Sequence, residues 1–157
     1  MLTLASCSVQ EKMNTKIFVE RFLNAVGDEI TADEILFDSG RDILFFADKS
    51  GTEYVLEFSS DEQGNIKKIC LACTDADKTD MMKYFFEKVI NVYAPGENSA
   101  EIIPSFFKNK WDYYSSQWYG YYSAVSDEGI FAAIENKKLS TPSDAELTLK
   151  QNDIIYR

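Results

Sequence analysis

Cys70 and Cys73 are the residues of this chain with the clearest capacity for chemistry. A C-x-x-C pair can cycle as a dithiol, close a disulfide or offer two thiolates to a metal. Their setting narrows those options. A redox pair sits at a helix start, where the dipole lowers the first thiol's pKa. Here Cys70-Leu71-Ala72-Cys73 ends an apolar run that reads as a strand, and Thr74-Asp75-Ala76-Asp77 follows. Those carboxylates raise a neighbouring thiol's pKa rather than lowering it. Side chains three apart on a regular strand also point to opposite faces, so a disulfide would need a turn there. The expected order is buried or unpaired thiols first, a disulfide second, and metal or redox work a distant third. No metal and no cofactor is assigned.

The chain has no histidine. That excludes Ser-His-Asp and Cys-His nucleophile pairs, histidine-containing zinc sites and imidazole proton shuttles. It carries neither a GxxxxGK[ST] loop nor a GxGxxG turn, so nucleotide binding has no sequence support. Catalysis would rest on carboxylates, Tyr, Lys or Cys. Asp75, Asp77 and Asp80 alternate as in a calcium loop, but no glycine lies at the middle and no glutamate closes it. They read as solvated helix-cap carboxylates. Asp112 with Glu128 or Glu135 is a conceivable glycosidase pair, though the sequence does not fix their separation. With 26 acids against 16 bases and a net charge of −10, nucleic acid and anionic membrane surfaces are disfavoured as partners.

The run from Trp111 to Tyr122 is the most site-like segment. Strand alternation puts Trp118 and Tyr122 on one face and Tyr119 and Tyr121 on the other. If helices cover one face, the second shows large aromatics to solvent, and such patches bind proteins or sugars. The alternative is that one set is core and the other packs beneath residues 139–144 or a C-terminal hairpin. Gly120 between them would let a partner or a neighbouring backbone approach closely.

These residues need elements to hold them. The sequence repeats itself at an offset of 67 residues (Phe18 to Phe85), with Glu20/Glu87 and Asn24/Asn91 also identical. Residues 14–26 form one helix, with Ile17, Phe18, Phe22, Ala25 and Val26 on a stripe and Gly27 ending it. Residues 78–93 form its counterpart, with Met82, Phe85, Phe86 and Val89 inward, capped by Asp77 or Thr79 and stopped by Pro95-Gly96. Short second helices are expected at 31–37 and 99–108, the latter made irregular by Pro104. Strands follow at 42–47, 53–59 and 66–73, then at 111–116, 118–125 and 130–135, with a final hairpin at 146–150 and 153–156. The domain thus spans 13–157, with pseudo-repeats of about 14–75 and 81–137. The class is α+β: two helix-plus-antiparallel-meander units share one sheet with helices on one face. This order resembles the duplicated helix-plus-meander architecture of β-lactamase-inhibitor-like proteins, a group that includes lipid-anchored envelope proteins.

At the amino terminus, Leu4-Ala5-Ser6-Cys7 resembles the lipobox of a bacterial lipoprotein. In that family the peptide is cut before the cysteine, whose sulfur carries a diacylglyceryl anchor. The resemblance implies that residues 1–12 are a truncated signal remnant and tether, that Cys7 is the lipid-attachment site, and that the domain sits in the cell envelope, outside the cytoplasm. The combined reading is a non-enzymatic, surface-anchored module that binds an extracellular protein or carbohydrate through Trp118, Tyr119, Tyr121 and Tyr122. It touches membrane only through the anchor. Two alternatives stay open: a cytosolic acidic interaction protein of the immunity type, starting at Met1, and a carboxylate-dependent carbohydrate hydrolase.

Overall fold

A computed structural model describes residues 12–139. Cys7, most of the expected tether and the expected hairpin at 146–150 and 153–156 lie outside them. The first half contains α1 (Thr15–Val26) and strands β1 (Leu36–Asp38), β2 (Ile43–Ala47), β3 (Glu53–Ser60) and β4 (Ile66–Cys73). The second contains α2 (Thr79–Tyr93), the short α3 (Ser99–Ile102) and strands β5 (Trp111–Ser115), β6 (Tyr119–Ser126) and β7 (Gly129–Asn136). All seven strands join one antiparallel sheet in the order β1-β2-β3-β4-β7-β6-β5. The fold is α+β, with two helix-then-meander halves meeting through their last strands. Ile69 pairs with Ile134 and Leu71 with Ala132 across that central seam.

Both helices lie on one face because each has one apolar stripe to bury. In α1 the buried positions are Thr15, Phe18, Val19, Phe22 and Val26. At the repeat offset they map onto Met82, Phe85, Phe86, Val89 and Tyr93, all buried on α2 together with Ile90. The expected α1 stripe is partly wrong: Ile17 is 38% exposed and Ala25 also faces solvent, while Val19 takes the inward place. Successive helical positions are about 100° apart, so a stripe centred on Phe18 and Phe22 turns Ile17 toward its edge.

Local polar groups fix the ends. Asn14 caps α1, its Oδ1 accepting the Ile17 N–H at 2.9 Å. Gly27 follows with a φ of 51° and donates its N–H to the Leu23 carbonyl. Neither Asp77 nor Thr79 caps α2 as expected. Lys78 occupies that place without a side-chain bond, and the Asp77 N–H is taken by the Asp75 carboxylate. The helix expected at 31–37 is instead a single 3-10 turn, Ala32–Glu34, followed by edge strand β1. Thr31 donates its N–H to the Ala47 carbonyl and Ile30 bridges to Asp48, which pulls this segment onto the sheet edge before a helix can extend. The helix expected at 99–108 is shorter too, because α3 tightens into a 3-10 turn at Ile103–Ser105, around Pro104.

The β2–β3 and β3–β4 turns repeat one device. Asp48 Oδ1 accepts the N–H groups of Ser50 and Thr52, and Asp61 Oδ1 those of Gln63 and Asn65. Gly51 and Gly64 close them at φ 86° and 82°, where an L side chain would be strained.

Candidate functional site

Strand register sorts the sheet side chains into two faces. On the helix side lie Tyr54, Leu56, Leu71, Cys73, Ile134 and Tyr121, within the main core. The opposite face carries one row that crosses all seven strands: Leu36, Phe45, Val55, Ala72, Phe131, Ala124 and Trp111. The next row holds Glu57, Cys70, Ala133, Tyr122 and Tyr113. The exposed members of this face are Leu36, Phe45, Trp111 and Tyr113 on the outer strands, the central residues are buried, and the helices pack on the other side of the sheet.

The four aromatic residues expected to form the site do not lie together. Tyr119 and Tyr121 face the helices and are buried, Tyr121 completely. Tyr121 donates its hydroxyl hydrogen to Glu97 Oε1 at 2.7 Å, and its ring packs against Phe106 and Tyr114. Tyr119 packs against Tyr93, and burial pushes its phenol up to about 12, with the Glu97 charge adding to the effect. Their exposure is therefore corrected: they are core residues. Trp118 lies in the β5–β6 turn, not on β6, and packs toward the main core rather than sharing Tyr122's face. Lys138 Nζ sits 4.1 Å from its ring centroid, a cation–π contact. Lys137 donates to the Ser116 carbonyl at 2.6 Å, so the chain leaving β7 clamps this turn.

Tyr122 does lie on the open face, half-buried. Its ring reaches back over Gly120, where a Cβ would stand 3.4 Å from the Tyr122 hydroxyl. The space at Gly120 thus serves Tyr122 itself. Burial pushes the Tyr122 phenol up to about 12, aided by Glu135 and Tyr113. Its neighbours are residues not expected at the site. Tyr113 pairs with it across β5 and β6, ring centroids 5.2 Å apart, and Trp111 lies one row away. Trp111 is 38% and Tyr113 60% exposed. Alternation within Trp111-Asp112-Tyr113-Tyr114 separates the two sets, but their outward direction depends on pairing with β6.

Two further features bound this surface. Lys108 and Lys110, both exposed, lie on the loop entering β5. On the β2–β3 side a hollow of about 210 Å³ is floored by Phe45, Val55 and Ala72 and rimmed by Glu53, Glu57 and Glu128. It can accept an apolar stem carrying a cationic end.

The carboxylates considered for hydrolysis are dispersed. Asp112 points to the helix side and binds its own loop, accepting the N–H groups of Lys108 and Asn109 at 2.7 and 2.8 Å. Those bonds hold its carboxyl below the usual range against the upward push of burial. Glu135 belongs to the opposite face, beside Lys68. The sheet itself separates this pair.

The cysteines also part as strand geometry requires. Cys73 enters the main core and Cys70 a smaller cluster on the open face, both as free thiols. Burial pushes the Cys70 thiol up to about 12, Lys68 opposing and Glu57 and Glu135 adding to the shift. Burial likewise raises Cys73. Neither has the stabilised thiolate that nucleophilic or redox work needs. No protein-family model matches the chain, and no curated protein or solved structure does so significantly.

Proposed function

We propose that this domain is a non-enzymatic binding module that recognises a protein or a glycan through the aromatic edge of its open sheet face. The observation that carries the reading is the exposure of Trp111 and Tyr113 beside Tyr122, on the face away from both helices. Aromatic rings held on a strand offer large contact area at low entropic cost, and each has a polar atom at its rim. The apolar hollow with its three glutamates extends the surface and favours partners with basic groups there. The lipobox-like Leu4-Ala5-Ser6-Cys7 supports a second part of the proposal, a lipid tether at Cys7 on the extracytoplasmic side.

Each part has its own test. A Trp111→Ala/Tyr113→Ala chain, screened on a glycan array and a panel of envelope proteins, should lose at least tenfold in affinity for whatever the native chain binds. Its circular dichroism should not change, because both side chains reach solvent. Unaltered binding removes the site assignment. For the anchor, the protein made in a bacterial host should enter the detergent phase on Triton X-114 partitioning, and Cys7→Ala should stay aqueous. If both remain aqueous, the cytosolic interaction reading replaces the anchored one.

A further inference from the structure

The two outer strands end the sheet in different ways. β1 is three residues long, and its Asp38 carboxylate turns back onto the Gly40 and Arg41 N–H groups of the following turn. Short, charged edges of this kind resist pairing with another chain. β5 is five residues long, pairs with β6 in unbroken register, and contains neither proline nor lysine. Its one charge is withdrawn, because Asp112 lies on the helix side and accepts from the loop N–H groups of Lys108 and Asn109. β5 thus lacks the devices that protect a sheet edge. The direction of its free backbone groups follows from the pairing. Val125 donates its N–H to the Lys110 carbonyl at 3.2 Å, and Ser116 donates to the Tyr119 carbonyl at 2.9 Å. Hydrogen-bonded pairs alternate along an antiparallel ladder. Asp112 and Tyr114 therefore bond to β6, while Trp111, Tyr113 and Ser115 direct their N–H and C=O groups outward. Among the described residues no group takes up those bonds. The side chains of the same three residues are exposed on the open face.

We propose that a second copy of the chain takes them up, two β5 strands pairing antiparallel about a two-fold axis at Tyr113 and joining their sheets edge to edge. Complementarity chooses this occupant. Such an axis sets Tyr113 opposite its own equivalent and Trp111 opposite Ser115, and every pair exchanges both of its backbone bonds. A large ring thus meets a small hydroxyl side chain at each end of the seam. The contact between the Tyr113 and Tyr122 rings, centroids 5.2 Å apart, continues through the axis into that of the other copy. Charge agrees with the same register. Lys110 falls opposite Ser116 of the second copy, whose hydroxyl donates to Glu97. Each copy brings a cation to a carboxylate of the other, which offsets the repulsion between two chains of net charge −10. Asp112 meets Tyr114, so the β5 carboxylates do not face each other. The inference is independent of what the aromatic face binds. Pairing uses backbone atoms at the edge and leaves the rings on the face, where it joins two Tyr122–Tyr113 sets into one strip.

The test uses the full chain with Cys7→Ser. One strand pair is a small interface of the weak class, so sedimentation equilibrium is read up to about 0.2 mM. The mean mass should climb with concentration from 17.9 kDa toward twice that value. Ser115→Pro removes an outward N–H that has no partner within the described chain, a place where a strand tolerates proline. It should stay monomeric at every concentration with unchanged circular dichroism. A native chain that stays monomeric throughout, or a folded Ser115→Pro chain that associates equally, overturns the proposal. Cysteine trapping reads the register without proline, and it decides alone should Ser115→Pro fail to fold. Across the axis the two Tyr113 Cα atoms lie about 5.5 Å apart, within disulfide range, whereas Trp111 is farther from its own equivalent than a disulfide spans. With oxidised glutathione, Tyr113→Cys should form a covalent dimer at least tenfold faster than Trp111→Cys. Equal rates, or no covalent dimer from Tyr113→Cys, overturn the proposal.

Discussion

Phe85→Ala lowers the unfolding free energy by about 4 kcal/mol, read as a shift of the urea midpoint at unchanged slope. Phe85 is fully buried on α2 and, besides its helix neighbour Tyr84, meets two rings from the other half of the molecule. Phe46 of β2 lies 5.0 Å away and Tyr54 of β3 4.9 Å, both edge-on. Its counterpart Phe18 packs instead within its own half, against Phe22 and Phe58. Truncating Phe85 therefore opens a cavity where α2 is joined to the first meander, and neighbours on three elements cannot all collapse into it. Phe45→Ala is the contrasting case. Phe45 is adjacent in sequence to Phe46 but lies on the open face at 37% exposure, and its loss should cost about 1 kcal/mol. Equal midpoint shifts for the two variants would refute the account of α2 as a second link between the halves beside the β4–β7 seam.

Asp48→Ala should cost about 3 kcal/mol, and the native protein should lose in acid the part of that contribution that depends on the carboxylate's charge. Asp48 is 2% exposed at the β2–β3 turn. Its Oδ1 accepts from the Ser50 N–H, the Ser50 hydroxyl and the Thr52 N–H; its Oδ2 accepts from Tyr54 at 2.8 Å. Lys78, from the start of α2, approaches to 3.6 Å. Removing the carboxylate leaves the buried Tyr54 phenol without its acceptor and takes away the charge nearest Lys78, which still donates to the Ser50 hydroxyl at 2.8 Å. Burial pushes the Asp48 carboxyl upward, but the hydrogen bonds from Ser50, Tyr54 and Thr52 outweigh it, and the group lies below its ordinary value. A carboxyl depressed in the folded state stabilises that state above its unfolded pKa near 3.8. The contribution falls away as pH drops through the lower folded value. Stability curves of native and Asp48→Asn protein should therefore begin to approach each other below about pH 4 and come together only below the folded value. Parallel curves down to pH 2 would show that the turn does not depend on the charge.

Much of the architecture is legible in the amino-acid sequence. β4 matches its expected bounds, and the other strands expected among the described residues shift by a residue or so at their ends, because apolar alternation and Gly-containing turns are local signals. The shared inward positions of α1 and α2 follow from a repeat visible in the letters. β1 is not legible, because Ile35-Leu36-Phe37 has no strong pattern of its own. Its pairing with β2 and the bridge from Ile30 to Asp48 are long-range contacts that decide its state. The stripe of α1 differs from the expected one for a related reason: Ile17 and Val19 are equally apolar, and only the packing direction ranks them.

The candidate site divides in the same way. Composition alone excludes histidine chemistry, and the spacing of Cys70 and Cys73 already places them on opposite faces of a strand. Alternation likewise separates Tyr119 and Tyr121 from Tyr122. A period of two says which side chains share a face but not which face meets the helices. That choice is made by the pairing of β6 with β7 and by Phe106 and Glu97 seated over Tyr121. It buries the two tyrosines that look most available and turns Trp111 and Tyr113 outward. The sequence by itself determined the two long helices, six of the seven strands among the described residues and the chemistry the chain lacks. The tertiary structure decided which aromatic residues form a surface, because exposure depends on what packs across a sheet, and no local pattern carries that information.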